Sequence, residues 1–171
     1  MKNIFLLILS FFTLSSVSAK DDFLFNPCTN ERVSLEHALF NKNILLNKDV
    51  KINKEEFFLI SYLDNGGDVC YEKKFDLLFK LNDVYLYSKE LFDGLDDIFP
   101  DIGIENNMIV IDFEYGSGQS NIERYYFSVD SNNIYLNKKE IVYSREGKSK
   151  EIKYNKVDIK NVLFSRLVNN D

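Results

Sequence analysis

Tryptophan is absent from this 171-residue chain, and histidine occurs once, as His37. There are two cysteines, two prolines and seven glycines. Each scarcity removes a class of chemistry. A Ser–His–Asp or Cys–His arrangement has only His37 to draw on, and a His-rich zinc site has no second ligand. The cysteines, Cys28 and Cys70, are too far apart for a Cys-x-x-Cys redox motif. No Pro- or Gly-rich tract separates one part of the chain from another, and no internal repeat is evident.

Two of the few glycines fall close together in "FEYGSGQSNIERYYF", residues 113–127. A dinucleotide fingerprint needs G-x-G-x-x-G leading into a helix, whose N-terminus meets the pyrophosphate. Here the third glycine position is Asn121, and the segment that follows is β-branched and aromatic. No Gly-Lys-Ser/Thr follows, so a P-loop is excluded as well. "GSGQSN" therefore reads as a hairpin loop, with Gln119, Asn121 and Arg124 available as exposed donors. No cofactor and no metal is expected.

The first 19 residues have one charged side chain, Lys2, an apolar stretch from Ile4 to Leu14, and small residues ending at Ala19. This is the pattern of a cleaved secretory signal peptide. The apolar stretch is well short of the ~20 residues a spanning helix needs. Residues 20–171 are expected to form a single β-rich domain in the periplasm or outside the cell, with no membrane insertion after cleavage. Removing Lys2 takes the 21 basic residues to 20, against 27 acidic ones. Nucleic acid and anionic lipid are bound through basic patches, so this balance argues against both. A basic protein partner would be steered favourably.

From Phe57 onward, short β-rich runs alternate with turn signals. "DNGG" at 64–67 and "KLND" at 80–83 read as turns. "MIVIDFEY" (108–115) and "IERYYFSV" (122–129) read as strands, with two more around "REGKSK". "ILLNKDVKINKEE" reads as a short extended piece with a turn. "KELFDGLDDIFPDIGIENN" reads as a long acidic connection, broken by Gly94, Pro100 and Gly103. "SLEHALFNKN" predicts the one early helix, with Ser34 as N-cap, and "KNVLFSRLV" closes the chain as a strand or short helix. The fold class is α+β but predominantly antiparallel β. It is a meander forming a sandwich, half-barrel or curved sheet, with one N-terminal helix packed against it.

Without a catalytic motif, candidate residues come from charge and exposure. Asp93, Asp96, Asp97, Asp101 and Glu105 cluster in the acidic connection without EF-hand spacing. Such a loop can be simply solvated, or can meet basic groups of a partner while Phe92 or Phe99 anchors the contact. The tyrosines in the strand-like runs can pack within a sheet or form an aromatic face, with Tyr125 and Tyr135 as its exposed members. The leading expectation is a non-enzymatic protein that binds and neutralises another protein, in the manner of an immunity protein or inhibitor. The alternatives are a module holding a small ligand, glycan or peptide in a sheet concavity, and a carboxylate-based hydrolase.

Export into an oxidising compartment predicts a Cys28–Cys70 disulfide, tying the N-terminal segment to a central strand. Closing a loop of that length is worth roughly 4 kcal/mol in the chain-entropy model. Protein produced with its signal should show no free thiol, and reduction should lower its melting temperature by several degrees. Two titratable thiols in that material would contradict the pairing.

Overall fold

The computed structural model describes residues 23–95, 98–115, 121–130 and 133–168. The expected leader, residues 1–19, lies outside them. Eleven strands account for most of these described residues. A ribbon of β1 (Phe23–Asn26) and β2 (Glu31–Ser34) comes first. A four-stranded antiparallel sheet follows: β3 (Ile44–Ile52), β4 (Glu55–Tyr62), β5 (Phe75–Leu81) and β6 (Val84–Tyr87). The second sheet has five strands: β7 (Pro100–Glu105), β8 (Met108–Tyr115), β9 (Asn121–Val129), β10 (Ile134–Tyr143) and β11 (Lys148–Asp158). Both sheets are meanders, each strand pairing with its sequence neighbour.

Tight turns make this possible. Asn82 and Asp83 both have positive φ, as do Asn106 and Asn107, so two-residue turns of the type matching strand twist join β5 to β6 and β7 to β8. Asparagine and aspartate do here what glycine does elsewhere, which is how so many hairpins form with so few glycines.

The inner faces of the two sheets share one core. Phe57, Leu77 and Phe79 meet Ile109, Ile111, Phe113, Tyr125 and Phe127. Phe164 closes the end of this sandwich, with its ring centroid 4.7 Å from that of Tyr125 and 4.8 Å from that of Phe113. The outer face of the four-stranded sheet (Phe58, Ile60, Tyr62, Leu78) makes a second core with Leu24, Val33, Leu35 and Ala38. Three layers result: sheet, sheet, ribbon. The edges β3 and β7 are joined by Lys48, whose ammonium lies 2.8 Å from both Asp101 oxygens.

Several expectations are corrected. The early helix is a 3-10 helix of six residues, Leu35–Phe40. Ser34 has extended backbone, but its hydroxyl bonds the His37 ring rather than capping an N–H, and only Leu35 and Ala38 are buried. Two apolar contacts do not sustain an α-helix, so the described chain is predominantly antiparallel β with short 3-10 turns. "ILLNKDVKI" is a full nine-residue strand. The second half of the acidic connection, "PDIGIE", is β7. Pro100 occupies its first position, where a missing N–H costs little at a sheet edge. The closing segment forms two 3-10 turns, Ile159–Asn161 and Phe164–Arg166. Tyr125 is fully buried, so it belongs to no exposed face. The Cys28–Cys70 disulfide is present, but Cys70 lies in the β4–β5 loop, beyond the end of β4. Among the described residues no helix is long and apolar enough to cross a membrane.

One polar cluster is sealed inside the sandwich. Glu123 and Lys139 are both fully buried, 3.0 Å apart. Glu123 also accepts from the hydroxyls of Tyr115 and Tyr125, and Lys139 donates to the Leu167 carbonyl at 2.7 Å. Burial, and then the hydrogen bond to Glu123, push the Tyr125 hydroxyl well above its ordinary pKa. Breaking such a pair from one side strands a buried charge and costs about 3–5 kcal/mol. Urea denaturation should show that loss for Glu123→Gln and for Lys139→Met. The double variant should lose clearly less than the sum of the two.

Candidate functional site

The chemistry concentrates at one end of the four-stranded sheet, on both sides of residues 71–75. On one side is a cavity of about 410 Å³ between the ribbon (Phe25, Pro27), the outer face of the sheet (Tyr62, Asp76, Tyr87) and the connection after β6 (Lys89, Glu90, Asp93). On the other is an open groove of about 430 Å³ under Tyr71 and Phe99, with Asn47, Ser61 and Phe75.

Asp76 is the unusual residue. It stands on β5 opposite Ile60, where alternation sends its side chain outward beneath the ribbon layer. It is fully buried. Oδ2 accepts from the Tyr62 hydroxyl at 2.6 Å and is 3.1 Å from the Lys73 ammonium. Oδ1 is buried and has no hydrogen-bond partner among the described residues. Lys73 is shared further, 3.7 Å from Asp93 and donating to the Lys89 carbonyl at 2.6 Å. Burial dominates and raises the Asp76 carboxyl to about 7, against the opposing effects of Lys73 and Tyr62. The Tyr62 hydroxyl is likewise pushed upward, by burial first and by Asp76 next.

The groove is apolar and aromatic. Tyr71 is 83% exposed and Phe99 66%. The Phe99 ring meets Phe75 edge-on at 5.8 Å. The Lys74 ammonium stands 5.8 Å from both the Tyr71 and the Phe99 centroids, within reach of a cation–π attraction. At the back, Asn47 donates to the Ser61 hydroxyl at 2.6 Å, beside the irregular register of β3.

The residues singled out from the sequence divide between these features and the far sheet. Asp93 lines the cavity. Asp101 is held by Lys48. Asn121 opens β9, and Arg124 lies 3.8 Å from Asp112. Register places Asp101, Asp112 and Arg124 in one row on the outer face of the five-stranded sheet, away from the core. Asp96, Asp97 and Gln119 lie outside the described residues. Of the two proposed anchors, Phe92 is buried and Phe99 is exposed. His37 shares a hydrogen bond of 2.8 Å with Ser34 on an exposed turn, and neither residue lines the cavity or the groove. Cys28, Cys70 and Glu72 bring three metal-capable atoms together, but the disulfide leaves no thiolate to act as ligand.

Sequence reading missed Asp76 and Lys73 as site residues, and took Tyr62 and Tyr71 only among the tyrosines of strand-like runs that pack in a sheet or form an aromatic face. The signal for Asp76 was present: a carboxylate inside the apolar run "FDLLFKL" must be paired or functional if that run is buried. No protein-family model matches the chain, nor does any curated protein or solved structure.

The raised carboxyl has a consequence for stability. Asp76 ionises near its ordinary 3.8 when unfolded and near 7 when folded. Between those values the folded state binds the extra proton, so stability falls as pH rises and levels off above about 7. The difference corresponds to roughly 4 kcal/mol. Asp112, raised to about 6 chiefly by burial, adds a loss of the same sign between about pH 4 and 6. Denaturation of wild type and Asp76→Asn at pH 4.5 and pH 8 should therefore show the variant gaining relative to wild type at the higher pH.

Proposed function

We propose that this is an exported, non-enzymatic protein that binds a basic protein partner and neutralises it, using the end of the molecule that carries the groove and the cavity. The observation that carries the reading is the exposed pair Tyr71 and Phe99 beside an acidic cavity. Large aromatic side chains at a surface are the usual anchors of protein interfaces. Glu72, Glu90 and Asp93 next to them supply the charge that steers and orients a basic partner. The disulfide and the leader-like N-terminus support an extracytoplasmic setting.

A module holding a small ligand in a sheet concavity gains less support, because the space between the two sheets is filled by the common core. A carboxylate-based hydrolase needs two carboxylates free to act on opposite sides of a bond. Asp76 and Asp93 are instead both paired with Lys73.

The test is capture followed by inhibition. Immobilised mature protein should retain a specific envelope-acting enzyme or toxin and suppress its activity at one-to-one stoichiometry. Tyr71→Ala/Phe99→Ala should lose at least tenfold in affinity while melting like wild type, since both side chains are already in solvent. Capture indifferent to these substitutions, or capture without inhibition, would count against the reading.

A further inference from the structure

We infer that the cavity around Asp76 is a binding site for an organic cation, an alkylguanidinium or alkylammonium group, which is held among its carboxylates and gives Asp76 Oδ1 the donor it lacks once that buried side chain turns toward the cavity. The inference rests on the proposed function only for the source of the cation, which would then be an Arg or Lys side chain of the partner. The site itself stands on three independent observations.

The first is the unpaired oxygen. A buried carboxylate oxygen without a donor is costly, and Asp76 lines a cavity large enough for a side-chain-sized group. The second is charge. Four carboxylates (Glu72, Asp76, Glu90 and Asp93) face the cavity against two ammonium groups, Lys73 and Lys89. Lys73 does not fill the vacancy, because it approaches Oδ2 and spends its other contacts on Asp93 and the Lys89 carbonyl. The third is the walls. Phe25, Tyr62 and Tyr87 also line the cavity, and aromatic faces attract organic cations while covering their alkyl stems. An anion would meet the carboxylates, and a purely apolar group would leave Oδ1 unpaired.

Binding draws Asp76 toward its ionised form, so affinity should rise with pH. With the free carboxyl titrating at about 7, the ionised fraction grows about tenfold from pH 6 to pH 8. The other titratable groups lining the cavity with Asp76 are Glu72, Glu90, Asp93, Lys73, Lys89, Tyr62 and Tyr87.

Butylguanidinium is the probe, with butylurea as its uncharged counterpart of the same shape. Titration of isotope-labelled protein should give saturable shifts centred on Tyr62, Asp76 and Tyr87 for the cation and none for butylurea. Affinity should be about tenfold higher at pH 8 than at pH 6. Asp76→Asn should abolish the shifts. Should that variant fail to fold, Glu90→Gln/Asp93→Asn, at the rim, should fold normally and weaken binding at least threefold. Equal binding of butylurea, shifts confined to Tyr71 and Phe99, or calcium chloride rather than the guanidinium moving the same resonances would each overturn the site. N-acetyl-arginine amide binding more tightly than butylguanidinium would assign the cation to a protein side chain; equal binding would assign it to a free small molecule. Partner capture that needs Tyr71 and Phe99 but ignores Glu90→Gln/Asp93→Asn, in a protein that binds no guanidinium, would sink this site and leave the partner reading standing.

Discussion

The Cys28–Cys70 crosslink is the constraint on which the candidate surface depends. The ribbon has only eight strand residues, and a two-stranded ribbon is marginal by itself in water. Besides the apolar contacts of Leu24 and Val33, two features seat it on the four-stranded sheet. The bridge joins it to the β4–β5 loop, and the buried Asn26 amide donates to the Leu63 carbonyl at 2.7 Å while its oxygen accepts from the Cys28 N–H. Phe25 and Pro27, just before the bridge, wall the cavity, and Tyr71 and Glu72, just after it, begin the segment that separates cavity from groove. Reduction would therefore loosen both halves of the surface before it unfolded the sandwich, whose core lies one layer away.

How much of this was legible follows from how local each signal is. Turns at 64–67 and 80–83, the strands 108–115 and 122–129, and the disulfide were readable because each rests on residues a few positions apart or on cysteine count alone. β7 was not, because Pro100 and Gly103 are breakers in general and harmless at an edge, a status that only the sheet order reveals. The early helix failed for the converse reason. Leu35, Ala38 and Leu39 have helical spacing, but only Leu35 and Ala38 are buried, too little to hold more than a six-residue 3-10 helix. Tyr125 and Tyr126 are neighbours on one strand and face opposite ways, Tyr125 into the core and Tyr126 toward Glu105 and Glu140, and still both are buried. Aromatic content alone could not say which tyrosines stay in solvent. The exposed one, Tyr71, sits in a loop.

Charge in this protein is arranged at two depths. On the outer face of the five-stranded sheet, Asp101, Asp112, Arg124, Glu140 and Glu151 follow one another across the register, flanked by Lys48 and Lys138. These groups are wholly or partly in solvent, so each pair contributes little. Their collective effect is to keep a broad sheet face soluble and β7 from pairing with a foreign strand. Such a row can influence the approach of a partner through its field, but it holds no concavity in which a group could be fixed. Specific recognition has to come from where charge is enclosed.

Two enclosed carboxylates make the final contrast. Glu123 and Asp76 are equally inaccessible, each beside a lysine and a tyrosine. Glu123 has both oxygens engaged, by Tyr115, Tyr125 and Lys139, and its surroundings are packed by Phe113 and Phe164. Such a network is closed, because both oxygens already have their donors. Its role is to fix the register of β8, β9 and β10 around a single arrangement. Asp76 has one oxygen engaged and the other buried without a donor, on a residue that lines the cavity. A fold under no pressure except stability would fill that volume with an apolar side chain and replace the carboxylate, since burying a half-satisfied charge weakens it. The same chain completes one buried carboxylate and leaves the other short of a donor, and the incomplete one lines a cavity with further acids and aromatic rings. That asymmetry is what separates a structural ion pair from a binding site.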